Sequence, residues 1–454
     1  MTPFPHHMKA TIRLGLPLIG GMLAQTAISL TDTVMMGWYG VAELGAVALG
    51  SSYFHTLLIL GMGFGLAVSP MVAAAVANDD NRQVRRVTRM GLWIGVLFSF
   101  AILPVLWFSD PILRRLGQED IIAELGQDYL RIAGFAMGPA VLIAVFRSHL
   151  SALDHAGIVL WATLAGVALN AGLNWVLIFG NLGAPELGVE GAAIASLGTQ
   201  TLICLVLGLY AARHRALRHF ELFARFWRPD WEALGQVFRL GWPIALTLLA
   251  ESGLFMATMI MMGWIGANEL AAHGIAIQIT SATFMVHIGL SQAATVRAGH
   301  AWGRSDIAGL RMAGFAALTW SALMVAATVF VFVTFPEQLT GLFVDPEDPL
   351  RPQIIAIGAS LLIVSALFQV ADAAQVMALG LLRGVQDTRI PMIYAVISYW
   401  LIGMPCAYLF GFPLGLDGPG IWLGLVVGLA LAGLTMMLRF WRGPARYPAQ
   451  TKPA

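Results

Sequence analysis

Long apolar segments recur along the whole chain, and short polar connections separate them. A helix needs about 20 mainly apolar residues to cross the hydrocarbon core of a bilayer. Twelve segments meet this requirement. Their approximate bounds are 14–38, 44–70, 87–109, 129–150, 158–180, 191–212, 239–266, 270–296, 311–335, 354–382, 390–414 and 419–438. The pattern therefore predicts an all-α polytopic membrane protein with twelve transmembrane helices.

The composition excludes an ordinary soluble protein. Of the 454 residues, 58% are hydrophobic and only 11% are charged, whereas about a quarter of the residues of a typical soluble domain are charged. The first apolar segment follows Lys9 and Arg13, as the apolar part of a signal peptide would. It continues through Met36, which is too long for such a signal, so we predict that it is a retained first helix.

The basic residues predict the orientation of the helices. If the N-terminus is cytoplasmic, all but four of the 26 Lys and Arg residues lie in the tails and connections on the cytoplasmic side, Arg147 among them. The exceptions are Arg114, Arg115, Arg131 and Arg351. This bias follows the positive-inside rule. We predict a membrane protein with both termini in the cytoplasm, and we interpret its basic loops as topology signals and not as nucleic-acid sites.

The two halves of the chain are related in sequence. The segments from Arg13 to Leu44 and from Arg239 to Leu270 match at 13 of 32 aligned positions, including an MMGW run in each. Such a repeat predicts two six-helix bundles related by a pseudo-two-fold axis along the membrane normal, with the substrate site between them. The predicted domains are 1–212 and 239–442, joined by a cytoplasmic linker, 213–238, and followed by a disordered tail, 443–454.

Three carboxylates lie inside the apolar segments: Asp32, Glu251 and Asp372. A charge at the membrane centre costs roughly 2.5 kcal/mol, so such groups are usually functional. A poorly hydrated carboxylate tends to bind a proton or a metal cation, and a lipophilic organic cation would compete for the same charge. We therefore predict a coupling-ion and substrate site at these residues, with Na+ possible at Glu251 and Asp372. A structural hydrogen bond is the alternative for each, and for Asp32 also a role at the helix end.

Polar residues in neighbouring segments could belong to the same sites. Asn170 and Asn174 are four residues apart and so share one helical face. They could ligate Na+, contact Asp32 or make ordinary hydrogen bonds between helices. Gln25, which aligns with Glu251 in the repeat, and Gln278 could line a cavity, with interhelical hydrogen bonding as the alternative.

Several stretches resemble one transporter family. The runs LAQTAISLTDTVMMGWYGVAELGAVALG, LAESGLF, ELAAHGIAIQI, LNAGLNWVLIFG, LGVEGAAIAS and LRGVQDTRIPM are similar to stretches of multidrug and toxic compound extrusion (MATE) transporters, in particular the NorM-like bacterial branch. The most specific part is the combination of Asp32, Glu251 and Asp372. The resemblance implies antiport of organic cations against Na+ or H+, through a two-lobed cavity that opens alternately to each side.

Two other functions are weighed against this one. A flippase for a lipid-linked saccharide shares the superfamily fold, but we would expect several Arg or Lys residues within its cavity-forming helices, and here the basic residues cluster in the predicted loops. An intramembrane enzyme would need a nucleophile with a base, or a metal-binding motif such as HExxH, and the sequence contains no such motif. We therefore expect a monomeric transporter of small molecules without enzymatic activity or a cofactor.

Overall fold

The computed structural model describes residues 3–446, and the regular secondary structure in this part of the chain is helical throughout. Twelve of its helices are long and apolar enough to cross a membrane. They are α1 (Phe4–Tyr39), α2 (Glu43–Ala77), α3 (Asn81–Trp107), α4 (Asp120–Ala152), α5 (Ala156–Leu177), α6 (Gly188–Arg213), α7 (Trp231–Ile265), α8 (Ala267–Gly303), α9 (Ile307–Thr334), α10 (Arg351–Gly384), α11 (Arg389–Gly411) and α12 (Asp417–Arg442). The predicted fold class is confirmed.

Each predicted segment corresponds to one of these helices, but many helices extend further than their apolar part. Helix α1 begins ten residues before the predicted bound, and α4 begins nine residues before it. Hydropathy shows only the apolar portion of a helix, whereas a capping residue shows where the helix begins. Asp80 caps α3 by accepting from the backbone N of Gln83 at 2.9 Å, and Asp306 caps α9 by accepting from that of Gly309 at 2.8 Å.

Two of the twelve helices contain a local change of winding. Helix α4 includes one 3₁₀ turn, Gly134–Ala136, and α11 includes a π-helical segment, Ile397–Gly403. Single π turns inside α-helices are frequent at functional sites. Short helices also lie in the connections, at Asp110–Arg115 and Pro336–Gly341.

The chain forms two compact units. One unit comprises residues Gly20–Ala245, and among the described residues the other comprises 3–19 together with 246–446. We call these the N unit and the C unit. Helices α1 and α7 therefore contribute their first part to one unit and their remainder to the other. The domain bounds expected from the sequence stay a prediction. The expected tail begins with turns at residues 443–446, and its remainder lies outside the described residues.

The same helix pairings occur inside both units. In the N unit α2 packs on α3 and α4, α4 on α6, and α5 on α6. In the C unit α8 packs on α9 and α10, α10 on α12, and α11 on α12. These pairings match when six is added to each helix number, so the internal repeat recognised in the sequence extends to the packing of each unit.

Equivalent glycines fix one close contact in each unit. A Cβ on Gly63 would lie 2.5 Å from the backbone N of Ala245, and one on Gly289 would lie 2.7 Å from that of Ile19. Ala245 and Ile19 are aligned residues of the repeat. In each unit a glycine thus lets a helix approach the backbone of α1 or α7 closely, as small residues do in membrane proteins.

The linker between the halves packs on α3 in the N unit. Arg86 contacts Asp230 through two hydrogen bonds of 2.5 and 3.0 Å. Arg89 donates to the backbone carbonyls of Ala224, Arg225 and Arg228, and Trp93 donates to that of Phe226 at 2.9 Å. Side chains of one helix therefore hold the part of the linker between residues 224 and 230.

Candidate functional site

In the N unit, the side chain of Asp32 accepts three hydrogen bonds from two other helices. Its Oδ1 accepts from Nδ2 of Asn170 at 3.0 Å and from Nδ2 of Asn174 at 2.6 Å. Its Oδ2 accepts from the hydroxyl of Ser196 at 2.9 Å. Both amides are fully buried, whereas Asp32 is partly exposed. Asp32 is thus held in a fixed position and still reaches the surface of the helices.

Helical spacing explains this geometry. Asn170 and Asn174 lie one turn apart on α5, and Nδ2 of Asn174 also donates to Oδ1 of Asn170 at 3.3 Å. The other polar atom of Asn174, Oδ1, is buried and has no hydrogen-bond partner. This oxygen lies near the carboxylate of Asp32 and can accept a hydrogen bond from a proton donor or bind a cation. The predicted association of Asp32 with the two amides is therefore present.

Sequence reasoning missed the remaining members of this cluster. Ser196 on α6 completes the coordination of Asp32. Tyr129 on α4 lies within electrostatic range of Asp32, and its hydroxyl accepts from that of Ser51 at 3.2 Å. A serine within an apolar helix is a weak signal by itself. Only the packing of α6 on α5, which brings Ser196 opposite α1, reveals it.

In the C unit, Glu251 on α7 and Asp372 on α10 are buried and within electrostatic range of each other. Neither oxygen of Asp372 has a hydrogen-bond partner, and Oε1 of Glu251 has none. Asp372 is completely inaccessible to solvent. A buried carboxylate without donors is costly unless it binds a proton or a cation. The structure therefore brings together the two residues that the sequence proposed as a coupling-ion site.

Further buried polar atoms without partners belong to Gln369 and Gln375, which lie three residues before and after Asp372 on α10, and to Tyr399 of α11. Both polar atoms of the Gln375 side chain lack a partner, as does Oε1 of Gln369, whose Nε2 donates to Thr283 at 2.6 Å. Tyr399 is fully buried, its hydroxyl is unpartnered, and it lies within electrostatic range of both Glu251 and Asp372. We call Glu251, Gln369, Asp372, Gln375 and Tyr399 the C-unit polar cluster. Its two glutamines and its tyrosine carry no signal in the sequence that separates them from other polar residues of spanning helices.

The surrounding helices hold this cluster in place. Helix α10 is anchored to α8, where Ser291 donates to the carbonyl of Val376 and Thr295 donates to that of Gly380, both at 2.8 Å. Tyr399 lies in the π-helical segment of α11. The residue after it, Trp400, donates its indole N–H to the carbonyl of Ala250 at 3.2 Å. Ala250 directly precedes Glu251, so α11 also fixes the part of α7 that carries the carboxylate.

The two predicted glutamines do not join these clusters. Gln25 is partly exposed on α1, seven residues before Asp32, and Gln278 is exposed on α8. Among the described residues, neither makes a recorded hydrogen bond to one of the three carboxylates. Their possible role in lining a cavity stays a prediction.

Two arginines correct the expectation that basic residues cluster in loops. Arg147 falls inside the predicted segment 129–150 but is counted above with the cytoplasmic connection that follows it; it lies within α4 and is only 8% exposed. Its Nη1 contacts Sδ of Met22 at 3.9 Å, and its Nε has no partner. Arg383 lies within α10, in electrostatic range of Glu251 and Tyr399. Both lie close to a helix end, where charge counting cannot tell whether a side chain points outward or into the protein.

Within residues 3–446, no group of three or more His, Cys, Asp or Glu side chains is arranged to hold a metal ion. A Na+ site in the C unit would therefore need neutral oxygens besides its two carboxylates. The unpartnered amide and hydroxyl oxygens of Gln369, Gln375 and Tyr399 are of the type that hard cations prefer.

These features define a class of protein: a duplicated twelve-helix membrane protein with carboxylates inside the spanning helices of each unit. A family model described as MatE matches residues 17–176 and 243–409. The chain is 46% identical over 440 residues to "Probable multidrug resistance protein NorM" of Rhizobium meliloti (strain 1021), covering 97% of this chain and 94% of that protein. It is 42% identical to the protein of the same name in Agrobacterium fabrum, covering 96% and 93%.

Solved structures agree with the fold. One described as an outward-facing conformation of a multidrug resistance MATE family transporter superposes with a TM-score of 0.85 at 24% identity, covering 96% of this chain and 95% of that one. A eukaryotic MATE transporter gives 0.84 at 20% identity, covering 98% of both chains. The chain belongs to the MatE family, which is a family of transporters.

Proposed function

We propose that this protein is a secondary multidrug efflux transporter that exports organic compounds, often cationic, by antiport with Na+ or H+ through alternating access. The observation that carries this proposal is the C-unit polar cluster, in which three oxygens of the two buried carboxylates have no hydrogen-bond partner. The relatives named as multidrug resistance proteins support the substrate class. The comparisons do not favour the alternative of a lipid-linked saccharide flippase.

Competition for negative charge explains how exchange would work. Glu251 and Asp372 bind the coupling ion, and a cationic substrate is attracted by the same two charges. Asp32, with its three fixed donors, is a second site of this kind in the N unit. An ion entering along its gradient displaces the substrate, and each elementary charge that moves inward contributes roughly 2.3 kcal/mol per 100 mV of membrane potential.

The orientation and assembly are part of the proposal. The distribution of Lys and Arg supports cytoplasmic termini in a bacterial inner membrane, and the bacterial relatives support the same compartment. We expect the transporter to act as a monomer, with small organic molecules and the lipid bilayer as its partners.

The test is efflux of a fluorescent organic cation from vesicles that contain the purified protein, first under an imposed Na+ gradient and then under an imposed H+ gradient. We expect one of the two gradients to drive efflux. Glu251→Gln and Asp372→Asn should remove this driven efflux, whereas Glu337→Gln, which changes an exposed carboxylate outside the spanning helices, should retain it. Full ion-driven efflux by either cluster variant would contradict the assignment.

A further inference from the structure

A basic cleft lies at the C-terminal end of α12, away from the carboxylates. It has a volume of about 410 Å³ and is lined by Tyr394 of α11 and by Thr435, Leu438, Arg439, Arg442 and Gly443. Thr435, Leu438, Arg439 and Arg442 recur at helical spacing and so share one face of α12. The cleft belongs entirely to the C unit.

The charge of this cleft is only partly balanced. Arg439 uses its Nε to contact Oδ2 of Asp387 at 2.5 Å, and its two terminal nitrogens make no recorded hydrogen bond to a described residue. Arg442 is exposed, and no acidic side chain in residues 3–446 pairs with it. Two neighbouring guanidinium groups are a typical receptor for a phosphate group.

The surface next to the cleft is apolar. Leu438 is 40% exposed and Leu434 is 59% exposed on α12, and Ile393 and Ile397 are exposed on the neighbouring α11. These side chains continue from the arginines toward the middle of the two spanning helices. A free anion would contact only the arginines, whereas a phospholipid would place its headgroup on them and its acyl chains on the apolar strip.

From this combination we propose that the cleft binds the headgroup of an anionic phospholipid, such as phosphatidylglycerol, in the leaflet at the end of α12. In the orientation proposed above, this is the cytoplasmic leaflet. The site is separate from the transport carboxylates, so lipid binding and ion-driven efflux can fail independently.

The experiment is a native mass spectrometry titration of the full-length protein in detergent with phosphatidylglycerol or phosphatidylcholine. We expect phosphatidylglycerol to bind the unmodified protein in preference to phosphatidylcholine. Arg439→Gln combined with Arg442→Gln should weaken phosphatidylglycerol binding about tenfold or more. The matched control is Arg304→Gln combined with Arg311→Gln, which removes the same charge from exposed positions of the same unit and should bind as the unmodified protein does.

Two further measurements separate the possible causes. Arg442→Gln alone leaves the pair of Arg439 with Asp387 intact and should still weaken binding, so misfolding cannot explain the loss. Leu438→Ser should weaken phosphatidylglycerol binding without changing any charge. If inorganic phosphate competes with the lipid and Leu438→Ser has no effect, the site binds free phosphate and the proposal is wrong. Equal losses in the double variant and its control would also overturn it.

Discussion

At the scale of single residues, the hydrogen bonds to Asp32 make a sharp prediction. Asn174→Ala removes the shortest of the three, at 2.6 Å, and a hydrogen bond to a charged group contributes about 1.5–3 kcal/mol. Because Asp32 without this donor binds a proton or a cation more readily, we expect half-maximal efflux at about tenfold less coupling ion. The control is Asn181→Ala, which removes a hydrogen bond from Nδ2 of Asn181 to the carbonyl of Trp175 at the end of α5. An unchanged ion dependence in Asn174→Ala would assign the contact a purely structural role.

Arg147 leads to a prediction about stability. Helices α4 and α10 are followed by the same turn. Asp154 and Gln386 both have φ of 62°. The backbone N–H of His155 donates to the carbonyl of Leu150, and that of Asp387 donates to the carbonyl of Leu382. Arg147 lies three residues before Leu150, and Leu379 lies three residues before Leu382. Leu379, which is buried, is therefore the counterpart of Arg147.

Replacing Arg147 with the residue type of its counterpart should stabilise the protein. A buried charge whose recorded contact is a thioether sulfur carries an uncompensated desolvation cost. We expect Arg147→Leu to raise stability by about 1 kcal/mol or more, measured as an increase in Tm in detergent, while Arg115→Leu at an exposed position leaves Tm nearly unchanged. A decrease in the Tm of Arg147→Leu would show that the arginine makes a net favourable contribution.

The residues themselves show what a sequence can reveal about the site. Asp32, Glu251 and Asp372 were found because a carboxylate in an apolar segment is conspicuous, and Asn170 and Asn174 because their spacing is helical. Ser196, Gln375 and Tyr399 were not found, because their role depends on which helices pack together. Arg147 was placed in a connection, because a position near a helix end does not fix the direction of its side chain.

At the scale of elements, the linker provides a prediction about pH. The hydrogen bonds from Arg86 lower the pKa of Asp230, which also accepts from the backbone N of Ala233. Because the folded pKa lies below the ordinary value of 3.8, this pair stabilises the docked linker above that pH and ceases to do so as the pH falls through the lowered pKa. The linker should therefore dock firmly at neutral pH and loosen in strong acid.

Limited pepsin digestion over a descending pH series measures this loosening. We expect cleavage between residues 214 and 230 in the unmodified protein only when the pH falls below about 3.8. Asp230→Asn should be cleaved there already at higher pH. Glu221→Gln, which removes an exposed ion pair with Arg85, should behave as the unmodified protein does, since such pairs contribute little. Identical cleavage profiles for all three proteins would contradict the prediction.

The elements also show where hydropathy stops being informative. All twelve helices could be predicted, because each must present an apolar surface of fixed length to lipid. The π-helical segment Ile397–Gly403 could not, since its residues read as an ordinary apolar run. Its winding becomes visible only in the structure, where it places Tyr399 beside the carboxylates.

At the scale of the whole molecule, duplication provides a scaffold that the two units use differently. Each unit repeats the same helix pairings, but the N unit holds one carboxylate with three donors and the C unit holds two without recorded donors. A duplicated fold can retain its packing while its polar residues diverge, because packing depends on small and apolar residues at helix contacts. The repeat therefore predicts the contacts common to both units, and the differences locate the chemistry.

The shared contacts can be tested by an equal perturbation of both units. Gly63→Val and Gly289→Val would each place side-chain atoms against the backbone of Ala245 or Ile19, and overpacking of this kind costs about 1–3 kcal/mol. We expect similar decreases in Tm for the two variants, because aligned residues make the two contacts. Gly274→Val is the control, since a Cβ there meets no atom within 4 Å. If only one of the two variants loses stability, the paired glycines are not equivalent in energy, and the repeat is limited to sequence and helix order.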